Sequence, residues 1–70
     1  MQINADYLRL LKYLLTKGYY ILELPSGAII YSPEQYQCGI ITKDMFQAIK
    51  DVLGLNCQIH EKYTKWSLNY

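Results

Sequence analysis

Few side chains in this sequence could carry out chemistry. The chain has one histidine, His60, and two cysteines, Cys38 and Cys57. A cysteine beside a histidine can act as a nucleophile, because the imidazole takes up the thiol proton. Cys57 and His60 are three residues apart, however, so on one strand they would face opposite sides of a sheet. The same three side chains lack a fourth zinc ligand at a recognised spacing. We therefore expect two free, mostly packed thiols, no metal or other cofactor, and no enzymatic activity.

Tyrosine is unusually common, at eight of 70 residues. Its ring offers a large contact area at little cost in rotamer entropy, which suits binding surfaces as well as small cores. Three tyrosines have the spacing expected of core residues: Tyr7, Tyr20 and Tyr70. Four others are predicted to be available to a partner: Tyr13, Tyr19, Tyr31 and Tyr36.

Length and charge limit the class of protein. Seventy residues predict one domain, 1–70, with so small a core that a partner or a dimer is a reasonable expectation. The net charge of +1 gives neither a basic stripe for nucleic acid nor an acidic surface. The apolar run at residues 8–15 is short and is interrupted by Arg9 and Lys12, so we expect no membrane span and a cytoplasmic protein.

The two halves of the chain follow a similar pattern. A shift of 38 residues aligns residues 5–32 with 43–70 and superposes two amphipathic segments, although identities are few and chance matches between such helices are common. Asn4 is a suitable N-cap for a first helix at residues 5–17, which Gly18 would end. Thr42 would cap a second helix that Gly54 ends.

A β-hairpin is predicted after each helix. In the first, Pro25, Ser26 and Gly27 form the turn, so that Leu24 pairs with Ala28. One face would then carry Tyr20, Leu22, Leu24, Ala28 and Ile30. The other would carry Tyr19, Ile21, Glu23, Ile29 and Tyr31. In the second, residues 57–62 pair with 66–70, but the position of Ile59 relative to Trp66 stays open.

These elements predict an α+β fold of two αββ units. The order αββαββ is a permuted ferredoxin-like arrangement. A four-stranded, mainly antiparallel sheet would then carry both helices on one face. The alternative is a winged helix with residues 42–53 as recognition helix and residues 57–70 as wing. In the first arrangement one apolar hairpin face has no helix to cover it and becomes the candidate binding surface.

Three function classes follow from this reading. The first is a non-enzymatic protein-binding module that uses the following residues: Tyr13, Tyr19, Ile21, Ile29, Tyr31 and Tyr36. Size and composition resemble those of small phage and mobile-element inhibitors of host enzymes or defence complexes, such as anti-CRISPR proteins, but no motif carries that analogy. The second is a nucleic-acid binder that stacks bases on an open sheet or uses the winged helix. Its cations would be Arg9, Lys12, Lys17, Lys43, Lys50, Lys62 and Lys65. The third is a structural homodimer that buries Ile21, Ile29 and Tyr31 across a two-fold axis.

Overall fold

The computed structural model describes residues 4–68 and contains two helices and five strands. In chain order these are α1 (Ala5–Thr16), β1 (Tyr20–Leu24), β2 (Gly27–Tyr31), β3 (Gln37–Ile41), α2 (Lys43–Leu53), β4 (Asn56–Ile59) and β5 (Thr64–Ser67). The strands form one sheet in the order β3-β2-β1-β5-β4, in which each neighbouring pair is antiparallel.

Both helices begin at the predicted caps. The Asn4 side chain accepts a hydrogen bond from the backbone N–H of Asp6, at 2.7 Å. Thr42 Oγ1 accepts from the N–H of Met45, at 3.3 Å. These bonds satisfy N–H groups that have no partner within the helix. Gly54 ends α2 in the left-handed conformation, as its position after the last periodic residue predicts.

The core lies on one face of the sheet, which we call the inner face. Each helix contributes two fully buried side chains, and β1, β2 and β3 contribute four more. Together they form a single cluster: Leu11, Leu15, Ile21, Ala28, Ile30, Ile41, Phe46 and Ile49. Both helices pack on this face, since their buried side chains belong to the same cluster as those of the strands. Side chains alternate along a strand, so the intervening residues form the opposite face.

The α+β class is confirmed, but the predicted number of strands is wrong. Residues 37–41, for which the sequence predicts neither a helix nor a strand, form β3 and pair with β2. The permuted ferredoxin-like arrangement is therefore not confirmed. The winged-helix alternative does not match either, because β5 pairs with β1 and makes the C-terminal hairpin part of the main sheet.

A tight turn between β2 and β3 explains the additional strand. Ser32 is buried, and its hydroxyl accepts a hydrogen bond from the N–H of Tyr36 at 3.1 Å. The backbone N–H of Ser32 donates to the Tyr36 carbonyl at 2.9 Å, and Gln35 adopts a positive φ of 73°. These features reverse the chain between β2 and β3.

The β1–β2 hairpin has a two-residue loop, Pro25-Ser26, instead of the predicted three-residue turn. Leu24 pairs with Gly27, Leu22 with Ile29 and Ile21 with Ile30. The predicted pairing of Leu24 with Ala28 is therefore wrong by one residue. Such a shift changes which side chains share a face, because the side-chain period of a strand is two residues.

The register left open in the C-terminal hairpin is settled by the pairing of β4 with β5. Cys57 pairs with Trp66 and Ile59 with Thr64, so Ile59 and Trp66 lie on the same, inner face. A four-residue connection, 60–63, is closed by the N–H of His60 donating to the Tyr63 carbonyl at 2.9 Å. The predicted end of the last strand, with Tyr70, lies outside the described residues.

Two glycines in β2 and β3 should respond differently to substitution by alanine. Gly27 has φ of 155°, and a Cβ there would lie 3.0 Å from the Ile41 carbonyl oxygen. A Cβ at Gly39 would meet its nearest heavy atom, Ile30 Cδ1, at 3.9 Å. We expect Gly27→Ala to lower the free energy of unfolding by about 1–3 kcal/mol in urea denaturation. Gly39→Ala, the control, should leave it unchanged or raise it by less than about 1 kcal/mol. Equal losses in both variants would contradict this local geometry.

Candidate protein-binding face

Part of the surface opposite the helices is strongly apolar. Leu22 pairs with Ile29, and Ile29 with Ile40, in one row across β1, β2 and β3. Tyr20 pairs with Tyr31 in the next row. With Leu24, these side chains form what we call the open face: Tyr20, Leu22, Leu24, Ile29, Tyr31 and Ile40. Ile40 is 73% exposed, so a large aliphatic side chain stands in water at its border.

The apolar character belongs to one half of this surface. Continuing the two rows from β1 toward β5 and β4, Leu22 pairs with Lys65 and Lys65 with Gln58, while Ser67 pairs with Asn56. The β3–β2–β1 half therefore carries aliphatic and aromatic side chains, and the β5–β4 half carries polar ones. A partner that buries apolar area would cover the first half.

The aromatic rings of the open face are held in place. The centroids of Tyr20 and Tyr31 lie 5.7 Å apart at an interplanar angle of 52°. Lys65 Nζ lies 4.4 Å from the centroid of Tyr20, where the negative face of the ring attracts the ammonium group. An interface built on these rings would lose little rotamer freedom on binding.

Two of the six predicted partner-binding residues, Ile29 and Tyr31, lie on the open face. Ile21 does not, because it is fully buried in the core, and Tyr19 packs against that core. Their predicted position on the uncovered face is wrong, since β1 is shifted by one residue relative to β2. The other two are exposed elsewhere. Tyr36 lies in the turn before β3, and Tyr13 lies on α1 with Lys17 Nζ 5.4 Å from its ring.

Sequence reasoning missed four members of the open face: Tyr20, Leu22, Leu24 and Ile40. The first three would have been found with a two-residue hairpin loop. Ile40 could be assigned to the open face only if β3 had been predicted as a strand. The alternation of side chains along β3 is interrupted opposite Ile30 and Tyr31, where the register shifts. The consecutive pairs Ile29-Ile30 and Ile40-Ile41 are the available signal, because each pair must place one isoleucine on either face of a strand.

The basic residues of the nucleic-acid alternative are distributed over several surfaces. Arg9, Lys12 and Lys17 are exposed on or just after α1, and the Arg9 guanidinium lies 3.8 Å from the Asp6 carboxylate. A shallow cavity of about 400 Å³ brings Lys43 and Lys62 together, but Glu23, His60 and Glu61 line it as well. Lys65 lies beside the open face, where it pairs with Leu22 and contacts the Tyr20 ring. The described residues thus form no continuous basic surface.

Lys50 belongs to a half-buried cluster on the inner face, in which it contacts Glu23, Phe46 and Trp66. Trp66 Nε1–H donates to Glu23 Oε1 at 3.0 Å, and Lys50 Nζ lies 3.8 Å from Glu23 Oε2. Lys50 also lies 5.3 Å from the Trp66 ring and 5.7 Å from the Phe46 ring. Glu23 thus accepts a hydrogen bond from Trp66 and pairs with Lys50, so the charges of Glu23 and Lys50 are directed at each other and not at an external ligand.

The two cysteines are free, as expected, but their exposure differs from the prediction. Cys38 and Cys57 are free but exposed, so the expected packing of these thiols is wrong. Both lie on the outermost strands of the sheet, where only one neighbouring strand screens them. The His60 ring stacks on Tyr63 with 4.7 Å between centroids. Within residues 4–68, no three His, Cys, Asp or Glu side chains are grouped in a way that could hold a metal ion.

Neither described helix has the length and apolar character required to cross a membrane. Burial raises the pKa of the Tyr7 hydroxyl, which lies at the inner-face core away from the open face.

Comparison of the chain with protein-family models, with curated proteins and with solved structures finds no match. The function is therefore inferred from the contacts, burial and charge of this chain's own residues.

The Glu23 cluster gives a prediction about stability. Glu23→Ala would leave the half-buried Trp66 N–H and the Lys50 ammonium without their acceptor, so we expect a loss of about 1–3 kcal/mol in urea denaturation. Glu23→Gln keeps an acceptor for the indole and should lose less. Glu34→Ala, in an exposed turn, should change stability by no more than about 0.5 kcal/mol. If Glu23→Ala behaves like Glu34→Ala, the cluster does not stabilise the fold.

Proposed function

We propose that the protein is a small non-enzymatic module that binds another protein through the open face. The observation that carries this proposal is the apolar row Leu22–Ile29–Ile40, which lies beside the Tyr20–Tyr31 pair on the face without helices. Burial of apolar area contributes about 25 cal/mol per Å², and aromatic side chains are enriched at the energetic centres of interfaces. A protein surface with an apolar patch is the natural complement of such a face.

Charge favours a protein over a nucleic acid as the partner. Affinity for a phosphate backbone comes mainly from neutralising several phosphates with lysine and arginine side chains. Among the described residues that line the sheet surface opposite the helices, Lys65 is the cation, and it already lies against Tyr20. The remaining basic residues point to other surfaces or sit beside carboxylates.

The homodimer alternative changes in one respect. Ile21 cannot take part in it, because its side chain is fully buried beneath the helices. A self-associating face would instead use Ile29, Tyr31 and their neighbours. Within the proposed class, we retain inhibition of a host enzyme or defence complex by a phage or mobile-element product as the specific proposal, supported by small size and near-neutral charge.

The proposal is tested by capture from lysate of the source organism, with immobilised protein and nuclease treatment. Proteins that bind the open face should be retained by the native chain and lost with Ile40→Lys and with Tyr31→Ala. Retention should be similar at low and moderate salt, since steep salt dependence indicates phosphate contacts. A lysine in place of the exposed Ile40 would put an ammonium group into a desolvated contact.

Val52→Lys is the matched control. Val52 is 61% exposed and lies on α2, on the helix side of the sheet. Val52→Lys replaces an exposed β-branched residue by lysine, as Ile40→Lys does, but at a position away from the open face. Circular dichroism should show all three variants folded. If a captured protein is lost with Val52→Lys but retained with Ile40→Lys, the open face is not the binding surface. If nuclease treatment removes the captured material, the partner is a nucleic acid and not a protein.

A further inference from the structure

The outermost strand beside the open face, β3, has an unprotected edge. Natural proteins usually protect such edges with proline, lysine or another charged residue type such as glutamate, because the unpaired N–H and C=O groups can recruit a further strand. The five residues of β3, Gln37–Ile41, contain neither a charge nor a proline. Its one protective feature is the register shift opposite Ile30 and Tyr31, at the start of the strand.

The two edges of the sheet are not equivalent. β3 is the outermost strand of the apolar half of the sheet surface opposite the helices, where Ile40 pairs with Ile29. β4 is one residue shorter and borders the polar half, where Gln58 pairs with Lys65. A strand added to β3 could place its side chains next to Ile40 and in line with the apolar row. A strand added to β4 would meet polar neighbours on that surface.

Gly39 leaves a vacant position at the same edge. It pairs with Ile30 on the inner face, and a Cβ there would meet no heavy atom closer than 3.9 Å. A glycine on a strand is commonly covered by a large, often aromatic, side chain of the neighbouring strand. On the edge side of Gly39, such a side chain would have to come from a partner.

We propose that the partner binds by strand addition: an extended, uncharged segment of another protein pairs with β3 and becomes the sixth strand of the sheet. This inference rests on the proposed function. The segment carries an apolar side chain beside Ile40 and a large one over Gly39. Backbone hydrogen bonds supply affinity in this mode, and alternate side chains supply specificity. Another protein is favoured over a second copy. A two-fold pairing centred on Gly39 would set glycine against glycine, and one centred on Ile40 would set Gly39 against Ile41, whose side chain is 1% exposed and already packed in the core of its own chain.

The test begins with a display library of random peptides long enough for one strand, about six to ten residues. Peptides that bind the intact protein are synthesised, and each backbone amide is N-methylated in turn. Strand pairing predicts that methylation weakens binding at every second position, since alternate N–H groups face β3. We expect a loss of roughly tenfold or more at those positions and little change at the positions between them.

Two matched lysine variants locate the site. Ile40→Lys should weaken peptide binding about tenfold or more, whereas Ile59→Lys should change it less than about twofold. Ile59 is also an exposed isoleucine on an edge strand, but on β4. Equal sensitivity of both variants, or no selected peptide that depends on Ile40, would overturn strand addition at β3.

Other outcomes separate this inference from the proposed function. If Ile40→Lys weakens binding but N-methylation shows no alternation, the partner covers the open face without pairing, so strand addition is wrong and the proposed function stands. If binding from lysate is insensitive to both Ile40→Lys and Tyr31→Ala, the proposed function fails. If sedimentation shows a dimer that Ile40→Lys dissociates, the occupant is a second copy and the inference is overturned.

Discussion

The register of the three strands β1, β2 and β3 determines both the core and the candidate site. Within β2 and β3, consecutive isoleucines point in opposite directions. Ile30 and Ile41 are 7% and 1% exposed on the inner face, while Ile29 and Ile40 belong to the open face. A slip of one residue in either strand would exchange these roles. The helices reinforce the observed register, because Phe46 and Ile49 of α2 pack in the same cluster as Ile30 and Ile41.

The size of the chain links this packing to function. The two helices, of 12 and 11 residues, cover the same face of a five-stranded sheet. Leu22, Ile29 and Ile40 then lie in one row on the opposite surface, where Leu22 and Ile29 are half-buried and Ile40 is exposed. An apolar patch of this kind on a small domain is typical of an interaction site. The polar half near Lys65 and Gln58 gives such a site a border, and the uncharged β3 edge gives it a direction in which to extend.

Local signals in the sequence predicted the local structure well. Asn4, Thr42 and Gly54 mark helix ends because capping depends on a few neighbouring atoms. The first hairpin was also recognisable from strand-forming residues on either side of Pro25-Ser26. What could not be read was the loop length, because Gly27 is compatible both with a turn and with the first position of a strand. That ambiguity of one residue moved Ile21 from the core to the expected binding surface.

The third strand was missed for a related reason. Gln37, Cys38 and Gly39 have low strand preference and follow a turn, so their composition resembles a connection. Their pairing with β2 depends on the buried Ser32 and the reversed backbone at Gln35, which are consequences of tertiary structure. Two of the six residues of the open face could therefore be anticipated, namely Ile29 and Tyr31 as residues of an uncovered apolar face. Ile40 and the free edge could not.

The most direct measurement is the accessibility of individual isoleucine methyl groups by NMR, with a soluble gadolinium chelate as relaxation agent. The account predicts strong broadening for Ile29 and Ile40 and little for Ile30 and Ile41, with the exposed Ile59 as a positive reference. Strong broadening of Ile30 and Ile41, or equal effects within each consecutive pair, would contradict the register and with it the open face.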